Sequence, residues 1–187
     1  LRICDFNLCR FESEIPLINQ FAPAQSLNID WYDLYVVDEQ NWTTSLIGKR
    51  VLIVSSISDT IKRQIKKRAC AKGFLMAEKI LYYDMPETYF EECRRCSNWF
   101  EEFESIKCKL SEINFDIAII AGGAYGYPLA AFVKMIGKQA IDICSGIYTL
   151  FHIKTAAMGR SRKERIETLV YVNPHMYYEY PYAKKSS

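Results

Sequence analysis

The sequence predicts an α/β protein built on a mostly parallel sheet flanked by helices. Short apolar runs rich in β-branched residues, typical of strands buried on both faces, recur along the chain. Segments of helical length with apolar residues three and four apart lie between them. The order strand, glycine loop, helix, strand near residues 115–144 indicates a βαβ unit, which is right-handed for steric reasons.

The first half of the predicted sheet is formed by residues 51–54 and 79–83. The polar residues 55–60 follow the first of these strands and supply helix-capping side chains, so a helix is predicted over residues 61–70. Gly73 is expected to end that helix. Residues 21–47 have no clear periodicity and are interpreted as a loop or short elements.

The second half begins with an amphipathic helix over residues 87–110 that has an acidic outer face. Cys93 and Cys96 fall on its apolar stripe, so core packing is favoured over zinc binding. A zinc site would need a second cysteine pair or nearby histidines, and His152 and His175 are distant. Strands at residues 115–120 and 139–144 then flank a helix at residues 129–136.

Composition excludes several classes of protein. The 187 residues carry 24 Lys+Arg against 22 Asp+Glu, for a net charge of +2, and 14% are aromatic. These values exclude a disordered chain and argue against a nucleic-acid binder that relies on bulk charge. No apolar stretch is long enough to span a bilayer and no secretory signal opens the chain. Scattered cysteines without a disulfide pattern favour free thiols, and hence a cytoplasmic location.

The strongest local candidate for a binding site is the glycine loop of Gly122, Gly123 and Gly126. It follows a buried strand and precedes a helix, where ligands of open α/β sheets bind and where glycine lets the backbone approach a phosphate. A tight turn without a ligand is the alternative. The spacing is neither the dinucleotide-binding G-x-G-x-x-G nor a P-loop, and no acidic residue follows at the required distance, so an NAD-dependent oxidoreductase is excluded.

Two weaker candidates come from polar residues. The loop at residues 55–60 also joins a strand to a helix, and Ser56, Ser58 or Thr60 would bond a phosphate or ribose there. Helix capping by Ser58 or Asp59 is the alternative. Carboxylates two positions apart in an extended segment point the same way, so Glu12 and Glu14 suit Mg²⁺ or Mn²⁺, although such pairs are common on surfaces.

Three blocks of the chain resemble the GT-D-type glycosyltransferases. Residues 115–141 contain G-G-A-Y-G-Y-P-L-A-A followed by a helix and G-K-Q-A-I, which is similar to that family's strand, G-x-G-A-Y-G-x-P-L-A-A, helix and G-K-x-A-I. Residues 48–64 resemble its G-K-K-V-L strand, its F-x-x-[ST]-I loop and the glutamine that follows. Residues 42–49 resemble its P-W-[ST]-x-A-L-x-G-K lead-in, with Asn41 in place of proline. The resemblance covers roughly residues 40–154.

The resemblance implies a Rossmann-like GT-D fold and transfer of a hexose or deoxyhexose, such as glucose or rhamnose, from a UDP-sugar to a glycan or glycoprotein acceptor. It also implies a D-x-E motif that binds Mn²⁺ or Mg²⁺. Its nearest equivalent here is Glu12 and Glu14, with Glu in place of the first Asp. Gly122, Gly123 and Gly126 would then approach the UDP. Tyr125 and Tyr127 would stack on the uracil or the sugar, with core packing as the alternative.

The chain departs from that family after its last predicted strand. The family's A-I-H-L-G-G-A-T-Q is replaced by A-I-D-I-C-S-G-I-Y at residues 140–148. Asp142 and Ser145 therefore lie where a strand end should face the ligand, and Asp142 is the predicted catalytic base. Asp116 is expected at the wrong end of its strand. A non-catalytic module that binds a nucleotide or glycan is the alternative function.

The predicted organisation is one glycosyltransferase domain over residues 1–187. The first residue is Leu1 instead of methionine, so we expect a domain from a longer protein that also carries other glycan-processing domains. The expected partners are the UDP-sugar and the acceptor, with no nucleic acid and no membrane span.

Overall fold

A parallel sheet of four strands forms the centre of the computed structural model. The structure describes residues 42–86 and 95–154, together with residues 5, 7–8, 13, 15–21, 26–27 and 178–179. The elements in chain order are β1 (Asn7–Leu8), α1 (Ile15–Phe21), β2 (Ser26–Leu27), β3 (Arg50–Ser55), α2 (Ser58–Lys66), α3 (Lys72–Leu75), β4 (Lys79–Asp84), α4 (Trp99–Glu112), β5 (Ile117–Ala121), α5 (Gly126–Met135), β6 (Gln139–Asp142), α6 (Gly146–Leu150), β7 (Ile153–Lys154) and β8 (Tyr178–Glu179). Short 3-10 helices span Trp42–Leu46 and Gly123–Tyr125.

The order of strands across the central sheet is β4, β3, β5, β6, and all of its pairings are parallel. Val51 of β3 lies opposite Ile80 of β4 on one side and Ile117 of β5 on the other. Two further parallel ladders, β1 with β2 and β7 with β8, have two residues in each strand. The predicted α/β architecture with a parallel sheet is therefore confirmed.

Alternate residues of the central strands point to opposite faces of the sheet and belong to two separate hydrophobic cores. Val51 and Ile53 pack with apolar residues of α2, α3 and α6. Leu52 and Val54 pack with apolar residues of α4 and α5. Both faces of the sheet are thus covered by helices, which explains why these strands are continuous apolar runs in the sequence.

The limits of α2 correct the sequence prediction. The helix spans Ser58–Lys66, whereas residues 61–70 were expected. Its N-cap is Ile57 and not Ser58 or Asp59, so no side chain at the N-cap accepts a hydrogen bond from the first turn. The chain leaves the helix at Arg68, whose φ of 56° lies in the left-handed region that usually favours glycine.

Gly73 does not end α2 but lies inside the separate helix α3. A Cβ atom at Gly73 would overlap the backbone carbonyl of Thr43 and approach the Thr43 Cβ atom to 2.9 Å. This glycine is therefore required for the close packing of α3 on the 3-10 helix Trp42–Leu46, a tertiary constraint with no local signal.

Helix α4 starts later than predicted. Asn98 is its N-cap, and the side chain of Asn98 accepts a hydrogen bond of 3.0 Å from the amide of Glu101. Residues 95–98 are bent and not helical, so Cys96 precedes the helix that was expected to contain it. Cys93 and the rest of residues 87–94 lie outside the described residues.

No helix in the described parts of the chain has both the length and the apolar character that crossing a bilayer requires.

His152 is buried at the end of α6, and desolvation lowers its pKa from 6.5 to about 4. It has a φ of 51°, and its carbonyl accepts a hydrogen bond of 3.1 Å from Gln64 of α2. Because the folded state disfavours the imidazolium, His152 contributes stability that is complete above pH 6.5 and is lost as the pH falls through about 4.

We expect His152→Asn to flatten the dependence of unfolding free energy on pH. Asparagine tolerates a left-handed backbone but does not titrate, so it separates charge from conformation. Between pH 7 and pH 4 the wild type should lose on the order of 2 kcal/mol more than the variant. Urea unfolding followed by circular dichroism at several pH values measures the difference. Parallel curves for the two proteins would show that His152 does not carry this pH dependence.

Candidate functional site

The candidate site lies where the connections of the central sheet diverge. From β3 the chain leads to β4 on one side, whereas from the neighbouring β5 it leads to β6 on the other. The two strands end together, with Ser55 opposite Ala121 in the register. In open α/β sheets such a divergence leaves a crevice at the carboxyl ends of the strands, and ligands bind in it. The two predicted loops, at residues 55–60 and 122–126, follow these two strands and therefore lie at the position where such a crevice forms.

The glycine loop turns tightly as it leaves β5. The amide of Tyr125 donates a hydrogen bond of 3.0 Å to the carbonyl of Gly122, and a Cβ atom on Gly122 would lie 3.3 Å from the nitrogen of Gly126. Gly123 is exposed, has a φ of 53° and would have open space around a Cβ atom. The left-handed backbone favours glycine at Gly123, and at Gly122 an added Cβ atom would make a tight contact that a small shift of the Gly126 backbone must relieve.

Gly126 packs against the predicted catalytic base. A Cβ atom on Gly126 would lie 2.5 Å from Oδ2 of Asp142 and 2.7 Å from its Oδ1. The carboxylate of Asp142, at the end of β6, therefore occupies the space that a side chain at the start of α5 would need. Oδ1 of Asp142 also accepts a hydrogen bond of 3.2 Å from the amide of Cys144, which has a φ of 46°.

Burial sets the acidity of Asp142. The side chain is half-buried, and desolvation raises its pKa above the ordinary value, only partly opposed by the hydrogen bond from Cys144. A carboxylate with a raised pKa is a stronger base near neutral pH than an exposed one. Ser145, also predicted at this strand end, is half-buried immediately before α6.

The two tyrosines of the glycine loop differ in exposure. Tyr125 is 3% exposed and its ring stacks on Trp99 of α4, with centroids 5.1 Å apart and ring planes 7° apart. Trp99 in turn stacks on Phe103 at 5.0 Å. Tyr125 thus joins the glycine loop to α4 by core packing, the alternative left open for it. Tyr127 is half-exposed and is the tyrosine of this loop with a ring accessible to a ligand.

The serine loop offers a ligand fewer hydroxyl groups than its sequence suggests. Ser58 and Thr60 are both buried, and the Ser58 hydroxyl donates a hydrogen bond of 2.9 Å to the carbonyl of Ser55. The hydroxyl of Ser55 accepts one of 3.3 Å from the amide of Ile57. Ser56 is exposed in the turn, so of the three predicted binding residues in this loop it is the most accessible.

Asp116 lies at the opposite edge of the sheet, as expected. It precedes β5 and pairs with Arg50, the first residue of β3, through Arg50 Nη2 at 2.5 Å and Arg50 Nε at 3.1 Å. Hydrogen bonds from the Arg50 side chain and backbone hold the pKa of Asp116 far below its usual range. An ion pair at the amino edge is a structural contact and cannot serve a ligand at the carboxyl edge.

Glu102 is a buried carboxylate that the sequence analysis missed. It is 3% exposed, although it lies on a helix whose acids were predicted to face outward. Cys96 lies beside it: burial, followed by a hydrogen bond to Glu102, raises the pKa of the Cys96 thiol. Glu102 follows Trp99 by three residues and precedes Ile106 by four, and this spacing on the apolar stripe of α4 was the available signal.

The predicted metal ligands Glu12 and Glu14 lie outside the described residues. Ser13, between them, is described and is exposed. Within the described ranges, no group of three or more His, Cys, Asp or Glu side chains is arranged to hold a metal ion.

Comparison of the chain with protein-family models, with curated proteins and with solved structures gives no match.

Proposed function

We propose that the chain is a glycosyltransferase that moves a hexose or deoxyhexose from a UDP-sugar to a glycan acceptor. The observation that carries the proposal is the position of Ser56, Gly123 and Asp142 at the carboxyl ends of β3, β5 and β6, three strands of one parallel sheet. Ser56 offers an exposed hydroxyl and Gly123 an exposed backbone to a nucleotide. Asp142 is a half-buried carboxylate whose pKa is raised. The resemblance of residues 115–141 to GT-D-type enzymes, with their Rossmann-like fold, supports the same function.

In the proposed reaction, the UDP lies across the crevice between β3 and β5. Backbone amides at Gly122 and Gly123 approach the diphosphate, and the Ser56 hydroxyl donates to a phosphate or ribose oxygen. An acceptor hydroxyl oxygen attacks the anomeric carbon, and its proton passes to the carboxylate of Asp142. The bond from the anomeric carbon to UDP breaks, and UDP leaves with the electron pair. The step inverts the anomeric centre, and its products are the new glycoside, UDP and a protonated Asp142 carboxyl.

The metal is a separate part of the proposal. Glu12 and Glu14 are the residues that would hold Mn²⁺ or Mg²⁺, and a divalent ion would supply charge neutralisation for the leaving diphosphate. Their support is the sequence motif and the family resemblance alone, so the proton transfer to Asp142 is written without them. Ser13→Ala is the matched control for Glu12→Ala and Glu14→Ala because it changes the residue between them without removing a carboxylate.

A panel of UDP-sugars tests the function directly. We expect one of them to raise the thermal unfolding temperature and, with a mixture of glycan acceptors, to release free UDP. Mn²⁺ should stimulate that release in the wild type and in Ser13→Ala but not in the two glutamate variants. Stimulation that survives both Glu→Ala changes would reject the metal assignment.

The second candidate function is a non-catalytic module that binds a nucleotide or glycan. The replaced segment at residues 140–148 favours it, because the carboxylate of Asp142 fills space beside the glycine loop. Suppose that a UDP-sugar raises the thermal unfolding temperature but no acceptor leads to release of UDP. That result would support the binding function and reject the transferase function.

A further inference from the structure

The amino edge of the sheet, opposite the candidate site, carries a cluster of exposed cations. Helix α2 starts after the carboxyl end of β3 and runs back, so its last turn reaches the amino edge. The packing of Gly73 on Thr43, which precedes β3, places α3 at the same edge. We call this surface the basic edge, and its exposed cations are Lys49, Lys66, Lys67, Arg68 and Lys72.

Among the described residues, the basic edge keeps a surplus of positive charge, although the carboxylates of Glu78 and Asp116 lie at the same edge and Asp116 interacts with Lys49. None of its five cations makes a salt bridge with a carboxylate in the described part of the chain. Lys109 and Lys134, in the last turns of α4 and α5, reach the same edge from the other face of the sheet, but each is paired, with Glu112 at 3.6 Å and Asp5 at 2.6 Å. With a net charge of only +2 for the whole chain, the excess positive charge is therefore local.

Two exposed apolar side chains lie among these cations. Ile47 is 44% exposed and Met76 is 47% exposed. The two segments are tied together, since the amide of Gly48 donates a hydrogen bond of 3.1 Å to the carbonyl of Met76. The amide of Glu78 likewise donates one of 3.0 Å to the carbonyl of Lys49. These hydrogen bonds hold Ile47 and Met76 close to Lys49.

Arg68 adds an independent observation. It occupies a left-handed position at the end of α2 with a φ of 56°, where glycine would be unstrained. An arginine at such a position keeps a cation on this surface despite an unfavourable backbone conformation.

We propose that the basic edge binds the surface of an anionic lipid bilayer. Clusters of four to eight Lys and Arg bind acidic headgroups, and Ile47 and Met76 would enter the boundary between headgroups and acyl chains. Nucleic-acid surfaces use aromatic side chains for stacking, but Phe100 and Tyr127, the exposed aromatics among the described residues, lie at the starts of α4 and α5, at the opposite edge. Docking in this orientation leaves the crevice between β3 and β5 facing the aqueous phase.

Vesicle sedimentation tests the surface with the full chain. We expect binding to phosphatidylcholine vesicles that contain roughly 30% phosphatidylserine, no binding to pure phosphatidylcholine, and loss of binding as salt rises above about 0.1 M. Lys66→Glu with Lys67→Glu should lower the partition coefficient by at least about 25-fold, because each lost cation contributes about fivefold. The matched control is Lys62→Glu with Arg95→Glu, which changes the net charge equally at the carboxyl edge, where Lys62 lies over the Tyr82 ring and Arg95 bonds the Asp84 carbonyl, and should have an effect below about threefold.

Arg68→Gly tests whether a loss of vesicle binding comes from the lost charge and not from unfolding of the protein. Removing the arginine relieves the left-handed strain, so the unfolding temperature should not fall, while vesicle binding should weaken by about fivefold. Equal losses in the two charge-reversal pairs would show that net charge alone attracts the vesicles and would overturn the proposal. Tighter binding to single-stranded DNA than to the anionic vesicles, abolished by the Lys66 and Lys67 changes, would also overturn it and assign the surface to nucleic acid.

Discussion

Gly73→Ala is expected to destabilise the fold by about 3 kcal/mol or more. The added methyl group would overlap the carbonyl of Thr43, which is a backbone group and cannot rotate away. Helix α3 would have to move off the 3-10 helix Trp42–Leu46 and take with it Phe74, which is 1% exposed and packs on Phe151 with ring centroids 4.7 Å apart. Urea unfolding followed by circular dichroism and tryptophan fluorescence measures the loss.

Gly137→Ala is the matched control for this substitution. Gly137 follows α5 with a φ of 78°, and a Cβ atom there would have no atom within 4 Å. The control therefore carries conformational strain without overlap and should cost about 1 kcal/mol. Equal losses at Gly73 and Gly137 would mean that the overlap with Thr43 is relieved without cost.

Asp142→Asn is expected to lower the rate of sugar transfer by about 10²- to 10⁴-fold without lowering stability at pH 7. The amide oxygen of asparagine can still accept the hydrogen bond from Cys144, and the shape beside Gly126 is preserved. What is lost is the ability to take a proton. Single-turnover release of UDP at several pH values, set beside urea unfolding of the same protein, measures both effects.

The pH dependence of stability gives a second check on Asp142. Burial raises the pKa of its carboxyl, so the folded state holds the proton more tightly than the unfolded state does. The group therefore disfavours folding increasingly as pH rises from about 4 through its folded pKa. Asp142→Asn removes this cost, so the free-energy difference in favour of the variant should grow from pH 4 to pH 7.

Asp116→Asn is the matched control, because it makes the same chemical change at the other edge of the sheet. It replaces the ion pair with Arg50 by a neutral hydrogen-bond partner and should lower stability only slightly, because both side chains are about one third exposed and water screens the pair. Transfer activity per folded molecule should be unchanged. If both Asp→Asn variants lose activity equally, Asp142 is not the base.

The strands were predictable because burial on both faces requires consecutive apolar residues. Residues 51–54 and 79–83 were each within one residue of the limits of β3 and β4. Helix limits were less predictable. The end of α2 was assigned to Gly73, but the left-handed residue that follows the helix is Arg68, and nothing in its side chain indicates that conformation.

The position of the candidate site in the sheet was predictable from the sequence, but the arrangement of its side chains was not. Glycines after a buried strand mark a carboxyl edge, so the loops at residues 55–60 and 122–126 were identified. The burial of Ser58 and Thr60, and the stacking of Tyr125 on Trp99, depend on helices that approach from distant parts of the chain. The spacing of Glu102 was visible, but its burial was not.

The sequence by itself determined the parallel α/β architecture, since apolar runs and helical periods are local patterns set by burial. Only the tertiary structure decided which glycines serve a turn and which serve packing. It is also the tertiary structure that seats the Asp142 carboxylate in the space left by Gly126 and gathers five cations at the basic edge. These results are contacts between residues far apart in the chain, and their energies depend on distances that no local pattern encodes.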